Sequence, residues 1–325
     1  MKRRATLMLA LAAPLFGLAP LATQAQSEFP DRPLKLVVGY APGGPADTLA
    51  RMVAQGMSSR LGQTIIVENR PGAASSIATA AVASAPPDGY TLLWGPSTPM
   101  VMNPILRKDL GYDSIRDFTQ LGMIAEMVVV LVANNSVPVT SLDDLITKSK
   151  AEPKKFFYGT SGAGSAMNVA AEKLKHETGL NMDHVPFNGS APNLSALISG
   201  DIQIASDLTV AVMPLITSGR IKPLAVMSKE RLKELPDVPT VAETVPGFEF
   251  STFQAVQAPA GLPEPIKLKL EKALKETVTA PEFEEKLVQL NFIPAYSDGA
   301  AAQARIEKEI ASYREVVKQA NIKVE

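Results

Sequence analysis

The segment from Leu34 to Gly62, LKLVVGYAPGGPADTLARMVAQGMSSRLG, constrains the fold of this chain more than any other. It consists of an apolar strand, a turn rich in Gly and Pro, and a helix whose apolar residues recur every three or four positions. Pro45 suits the first turn of a helix, and Gly62 is a typical helix terminator. Such a turn directs free backbone N–H groups and the positive end of a helix dipole at the carboxyl end of the strand. The segment therefore predicts an anion-binding place, and a turn that only connects strand and helix is the alternative.

The turn lacks the features of a nucleotide-binding loop. A phosphate-binding loop would carry Lys-Ser or Lys-Thr after Gly44, and a dinucleotide site would need the spacing GxGxxG, whereas this turn reads GYAPGG. The sequence therefore disfavours a nucleotide, and we expect no cofactor.

The first 25 residues have the layout of a secretory signal peptide. A basic start, an apolar run from Leu7 to Leu21 and small residues up to Ala25 follow one another. The surroundings of Arg3 and Arg4 fit twin-arginine export poorly, so we expect ordinary secretion with cleavage near Ala25. After the leader, no stretch approaches the roughly 20 apolar residues that a membrane-spanning helix needs, and we expect a soluble mature protein.

Charge and cysteine content narrow the partners and the compartment. The chain has 32 basic and 33 acidic residues, a balance that does not favour nucleic-acid binding, which calls for a basic face. It has no Cys, which excludes disulfides, thiolate chemistry and a lipid anchor on a cysteine. An exported protein of this kind fits a bacterial periplasm.

Short apolar strands alternate with helical segments through most of the chain, which is typical of mostly parallel sheets covered by helices. The length favours two domains. The strands are expected at 34–39, 64–69, 90–95, 156–160, 182–187, 202–207 and 223–228. The helices are expected to begin near Asp47, Ser75, Ser141, Ala166, Ser190 and Thr209, with two more at 264–278 and 300–319.

Two longer β-rich segments, 127–135 and 248–258, enclose the second series of strands and helices. We interpret them as strands that pass between two domains and form a hinge, so that two lobes close on a ligand. The predicted fold class is therefore α/β, with two doubly wound domains joined by two crossover strands. The predicted units are a signal peptide at 1–25, domain 1 at 26–128 and 251–325, and domain 2 at 129–250.

Ligands of open α/β sheets lie outside the carboxyl ends of the strands. In this sequence those ends carry mainly Gly, Ser, Thr and Asn, and they contain no Lys, Arg or His. We therefore expect backbone amides and hydroxyl groups to hold a small anion, each charge-assisted hydrogen bond contributing about 1.5 to 3 kcal/mol.

Nine segments, in chain order, carry a recognisable family pattern. They are FPDRPLKLVVGYAPGGPADTLAR, GQTIIVENRPGA, PPDGYTLLWG, YDSIRDFTQLGMI, YGTSGAGSAMNVAAE, HVPFNGSAPNLSALISGDIQ, SGRIKPLAVMS, LPDVPTVAET and APAGLP. Together they resemble the substrate-binding proteins of tripartite tricarboxylate transporters, called the Bug family in Bordetella, over nearly all of the chain that follows the leader.

The resemblance implies a monomeric periplasmic binding protein of the type II, Venus-flytrap architecture that has no enzymatic activity. It implies a dicarboxylate, tricarboxylate, acidic amino acid or aromatic acid as ligand, and the membrane subunits of a transporter as partners. The residues that it implies for ligand binding lie in loops of both domains: Tyr40, Ala41, Pro42, Gly43, Gly44, Asp47, Ser97, Thr98, Thr160, Ser161, Gly162, Ser165, Phe187, Asn188, Gly189 and Asp207.

The chain departs from the family pattern at four places. Gly39 and Tyr40 stand where Pro and Phe are usual, which gives a looser strand end and a phenol that is able to hydrogen-bond. The stretch 73–76 reads AASS where Gly pairs are usual. Asn168 stands where a His is common, and Phe253 where a Trp is frequent.

Several candidate residues have a second interpretation. Asp207 either pairs with a ligand ammonium group or caps the helix at Thr209. Tyr40 either lines the pocket or packs within its loop. Ser161 and Ser165 contact the ligand or only their own backbone.

An enzyme is the alternative functional class, and its requirements are not met. A nucleophilic Ser needs a neighbouring base, but His176 lies in a charged helix and His184 within a strand. The motif GTSGAGS is not a nucleophile elbow, and no close cluster of His and carboxylates indicates a metal site. A receptor that presents the ligand to a membrane signalling protein is a further alternative, because its binding step would be the same.

Overall fold

The computed structural model describes residues 29–152, 155–187, 189–319 and 322, so the predicted signal peptide lies outside the described residues. The strands are β1 (Leu34–Val38), β2 (Ile65–Asn69), β3 (Thr91–Trp94), β4 (Phe118–Asn134), β5 (Phe157–Thr160), β6 (Asp183–Pro186), β7 (Ile204–Leu208), β8 (Ile221–Val226), β9 (Ser251–Pro259) and β10 (Ile293–Asp298). The helices are α1 (Pro45–Leu61), α2 (Ser76–Ala83), α3 (Asn103–Leu106), α4 (Leu142–Ala151), α5 (Ala166–Thr178), α6 (Ser190–Ser199), α7 (Thr209–Thr217), α8 (Glu264–Val278), α9 (Pro281–Gln289) and α10 (Gly299–Gln319).

The strands form one mixed sheet with the order β2-β1-β3-β9-β4-β7-β5-β6, while β8 and β10 also pair with β4. β1 runs parallel to β2 and β3, and β5 runs parallel to β6 and β7. β9 runs antiparallel to β3 and β4. The predicted α/β class, with two doubly wound units joined by two crossover strands, is confirmed.

The pairing of β4 changes at its middle. Val128 lies opposite Ser251 of β9, and the next residue, Val129, lies opposite Leu208 of β7. β4 is 17 residues long and begins at Phe118, earlier than the predicted crossover. We propose the domain boundaries at this change of partner, with 26–128 and 251–325 in one unit and 129–250 in the other.

The strand, turn and helix at the start of the chain match the prediction from the sequence. α1 begins at Pro45 and ends before Gly62. Gly62 has a φ of 70°, the left-handed conformation typical of the glycine that ends a helix. Leu49, Val53 and Met57 are buried on its inner face. α1 therefore packs along the sheet with its N-terminus close to the end of β1.

Two elements near the end of the chain, α9 and β10, were not predicted from the sequence. α9 buries only Phe283 and Leu287, so its apolar pattern is short. β10 is half-buried and depends on antiparallel pairing with β4, which no local pattern reveals. None of the described helices is long and apolar enough to cross a bilayer.

Two departures from the family pattern meet in space. Ala73, Ala74 and Ser75 have φ values of 46°, 52° and 73°, a left-handed conformation that costs residues other than Gly roughly 1 to 2 kcal/mol each. Ser75 packs against Gly39, where an added Cβ would lie 1.9 Å from the Ser75 Oγ. The side chain at position 75 therefore requires a glycine at position 39.

We predict that Gly39→Ala destabilises the protein by about 1 to 3 kcal/mol, because the added methyl group overlaps Ser75. Adding Ser75→Gly should recover part of this loss, since it removes the clashing side chain and relieves the left-handed strain, whereas the backbone Cα of residue 75 stays 2.8 Å from the added methyl group. Urea unfolding of the two single variants and the double variant measures the coupling. A Gly39→Ala protein as stable as the unmodified one would contradict this packing.

Candidate functional site

A cavity of about 600 Å³ lies between the two halves of the sheet, within the size usual for small-molecule sites. Residues that follow β1 and β3 form one wall, and the starts of α5, α6 and α7 form the other. The two crossover strands close it from below, through Met127 of β4 and through Thr252, Phe253 and Gln254 of β9.

Several helices begin at this cavity. Each exposes N–H groups without an intrahelical partner and carries a partial positive charge of about half an elementary charge. The lining residues at these helix starts are Pro45 and Ala46 of α1, Ser165, Ala166 and Met167 of α5, Ser190 of α6, and Leu208, Val210 and Ala211 of α7. Ser97 and Thr98, where an irregular helical segment that runs into α3 begins, also line the cavity.

The side chains around the cavity do not cancel this positive potential. Among the described residues that line it, none is acidic and one, Arg107, is basic. An anion entering the cavity therefore meets helix dipoles and a guanidinium, whereas a cation finds no carboxylate.

The start of α5 leaves two amides available for an anion. Ser165 caps the helix, its Oγ accepting a hydrogen bond from the N–H of Asn168 at 3.2 Å. The Asn168 Oδ1 in turn accepts from the N–H of Gly164 at 3.0 Å. The N–H groups of Ala166 and Met167 have no acceptor among the described residues, and both residues line the cavity.

Asp47 holds the first loop, which lies between β1 and α1, in place from behind the cavity. Its carboxylate accepts hydrogen bonds from the Gly43 N–H at 2.9 Å, the Arg51 Nε at 3.0 Å and the Asn69 Nδ2 at 2.9 Å. The hydrogen bond from Arg51 lowers the pKa of Asp47 to about 2, with further lowering from Gly43 and Asn69 and against the effect of burial. The Gly43 amide, expected to be free for an anion, is thus engaged within the loop.

Tyr40 follows β1 and Ser97 follows β3, and both belong to the wall on that side of the cavity, which we call the near wall. Burial raises the pKa of Tyr40 to about 12, only partly offset by its hydrogen bond with Thr98, so its phenol is neutral at physiological pH. Tyr40 lines the cavity, in agreement with its interpretation as a residue of the pocket wall. The Ser97 Oγ accepts from the Phe253 N–H at 2.8 Å and ties this wall to β9.

Asp207 is buried below the cavity and does not line it. Its carboxylate accepts from the Ser190 Oγ at 2.6 Å, the Asn193 Nδ2 at 2.9 Å and the Leu208 N–H at 2.8 Å. α7 has no side-chain cap, so Asp207 does not fulfil the predicted capping of that helix. It positions Ser190 and Leu208, which do line the cavity, and burial raises its pKa.

The predicted ligand-binding residues fall into two sets. Those that line the cavity are Tyr40, Ser97, Thr98, Ser161, Gly162 and Ser165. Those that do not line it are Ala41, Pro42, Gly43, Gly44, Asp47, Thr160, Phe187, Gly189 and Asp207, and Asn188 lies outside the described residues.

The floor of the cavity and part of one wall were not predicted from the sequence. Gln254 and Thr252 lie on a strand recognised as a crossover, and their alternation with apolar neighbours was the available signal. Asn103 and Arg107 follow β3 through an irregular helical segment, Thr98–Met102, that has no amphipathic pattern.

His184 lies beside the end of β5, where it makes contacts within the fold. The His184 Nε2 lies 2.8 Å from the Thr160 Oγ1, and its ring stacks on Tyr158 with centroids 4.9 Å apart. Burial lowers the pKa of His184. Within the described ranges, no group of three or more metal-ligating side chains comes together.

Comparison with known proteins identifies the family. The profile of the family described as "Tripartite tricarboxylate transporter family receptor" matches residues 49–322. The chain belongs to this family. The expected resemblance is thus confirmed.

Solved structures of similar proteins agree with this assignment and with the Venus-flytrap architecture. Rpa4515 of R. palustris with adipate is 35% identical with a TM-score of 0.80, covering 91% of this chain and 99% of that one. The periplasmic binding protein BugD is 32% identical with a TM-score of 0.76, covering 91% and 99%. MatC of Rhodopseudomonas palustris with bound malate is 31% identical with a TM-score of 0.74, covering 89% and 100%. These relatives are solute-binding proteins, and this family member is a solute-binding protein, not an enzyme.

We predict that Asp47→Asn lowers the free energy of unfolding by about 1 to 2 kcal/mol at neutral pH, because the ion pair with Arg51 is lost. The ionised Asp47 stabilises the fold fully above its unfolded pKa of 3.8, and this contribution decreases as the pH falls towards its folded pKa of about 2. The difference in Tm between the two proteins should therefore shrink on acidification. A difference that is constant down to the acid limit would contradict this role.

Proposed function

We propose that the protein captures a small carboxylate in the interdomain cleft and delivers it to the membrane subunits of a tripartite tricarboxylate transporter. The convergence of helix N-termini on a cavity whose described lining has no acidic residue carries this proposal. The adipate and malate in the structures of two relatives support the ligand class.

We propose further that the protein works in the periplasm, with residues 1–25 removed on export. The basic, apolar and small-residue order of this leader supports the proposal, and so does the description of BugD as periplasmic.

The proposed binding step uses both walls of the cavity. The amides of Ala166 and Met167 hold a carboxylate on one wall, with Ser161 beside them, and Tyr40 and Thr98 contact the ligand from the other wall. A ligand that touches both walls favours the closed arrangement of the two units, because only that arrangement satisfies all of its contacts.

The hinge is held by a charged side chain from α10. The Nη2 of Arg305 donates to the Ser251 Oγ at 2.9 Å, and its Nη1 pairs with Glu126, so one guanidinium joins the two crossover strands. Its Nε also donates to Glu309 at 2.7 Å. This contact keeps β4 and β9 together while the units move.

We predict that a carboxylate binds the purified protein with a stoichiometry of about 1:1 and changes the fluorescence of Trp94, the single tryptophan of the chain. The Trp94 Nε1 donates to the Gln254 Oε1 at 3.0 Å, and Gln254 lines the cavity, so a ligand there alters the indole environment. A thermal-shift screen identifies the acid, and calorimetric and fluorescence titrations measure its binding. Stabilisation by phosphate or neutral sugars, with none by any carboxylate, would refute the proposal.

We predict that Ala166→Pro weakens carboxylate binding about 10- to 100-fold, because it removes one charge-assisted hydrogen bond at the start of α5. Proline is tolerated at the first helical position, and the preceding Ser165 has the extended ψ of 159° that a proline requires. Ala166→Gly is the matched control, since it retains the N–H and should keep the affinity close to that of the unmodified protein.

Equal carboxylate affinity in the Pro and Gly variants, both folded by circular dichroism, would remove this amide from the site.

A further inference from the structure

Arg107 is the single basic residue among the described residues that line the cleft. It directly follows α3 in an extended conformation and is half-buried. It belongs to the unit that carries Tyr40, whereas the free amides of α5 belong to the other unit.

The surroundings of Arg107 leave its charge unpaired. In the described part of the chain, no carboxylate lies within ion-pair distance of its guanidinium, and the guanidinium donates no hydrogen bond. The positive charge of Arg107 acts electrostatically on the phenol of Tyr112. It opposes the rise in the pKa of that phenol that burial causes.

The charges of the neighbouring surface do not balance that of Arg107. Arg107 also lines an adjacent cavity of about 840 Å³. The acidic residue Asp113 in that cavity is paired with Arg116 at 2.9 Å, and the other charged residues that line it are Lys108, Asp109 and Arg314. The guanidinium therefore lies in an environment of net positive charge.

We propose that Arg107 binds a second carboxylate of the ligand, which makes a dicarboxylate the preferred ligand class. This inference rests on the proposed function and specifies its ligand. One carboxylate lies at the amides of α5, and the other accepts two parallel hydrogen bonds from the planar guanidinium. The two ends of one molecule then join the two units.

The same lining disfavours two of the acids that the family resemblance implies, an acidic amino acid and an aromatic monocarboxylate. An acidic amino acid would bring an ammonium group into a cleft whose described lining has no carboxylate to pair with it. An aromatic monocarboxylate would leave either Arg107 or the amides of α5 without an anionic partner. A dicarboxylate satisfies both.

The test compares straight-chain dicarboxylates with monocarboxylates of the same carbon number, for example adipate with hexanoate, by calorimetric titration. The unmodified protein should bind the best dicarboxylate more tightly than its matched monocarboxylate. Arg107→Gln should weaken that dicarboxylate about 10- to 100-fold, the loss of charge-assisted hydrogen bonds, and leave the monocarboxylate almost unchanged. Lys108→Gln is the matched control, because it removes an equal charge from the next residue, which does not line the cleft, and it should bind both acids normally.

The outcomes separate this inference from the proposed function. If Arg107→Gln binds the dicarboxylate as tightly as the unmodified protein, or if dicarboxylates and monocarboxylates bind equally well, the role of Arg107 is overturned and the proposed function stands. If no carboxylate binds the unmodified protein, the proposed function itself is overturned. Should Arg107→Gln fail to fold, Arg107→Lys tests the same point, since it keeps the charge but loses the bidentate geometry and should weaken only the dicarboxylate.

Discussion

The meeting of several helix N-termini at one cavity is the constraint on which the rest of this structure depends. Helices that follow parallel strands begin at the carboxyl edge of the sheet, and the starts of α1, α5 and α7 line the same cavity between its two halves. Two buried carboxylates, Asp47 and Asp207, lie behind these helix starts. They fix the loops by accepting hydrogen bonds from them, and neither of them lines the cavity, where a negative charge would repel an anion.

The crossover strands give this arrangement its second property, which is the capacity to change shape around a ligand. β4 belongs to both halves of the sheet, and β9 is tied to the near wall through Phe253 and Ser97. The same β9 segment supplies the floor of the cavity. Contact with a ligand and the geometry of the hinge are therefore linked through a few residues of one strand.

Local signals in the sequence were sufficient to predict most of the strands and helices that frame the site, although not the segment from Thr98 to α3. Pro45, Gly62 and the apolar face of α1 act within a few residues of one another, and the structure follows them. The contact of Gly39 with Ser75 joins distant segments, and Arg107 reaches the cleft through the irregular segment Thr98–Met102, so neither has a local signal. The hydrogen bond from Gly43 to Asp47 changed the expected role of the first loop for a similar reason, because Asn69 of β2 completes that cluster.

A crystal structure of the protein with the carboxylate identified by the ligand screen tests the central claim most directly. We predict that a carboxylate oxygen lies at about 2.7 to 3.1 Å from the N–H groups of Ala166 and Met167, the range of charge-assisted hydrogen bonds. An acid bound outside this cavity, or one held within it by side chains with no backbone amide from any helix start, would contradict the account.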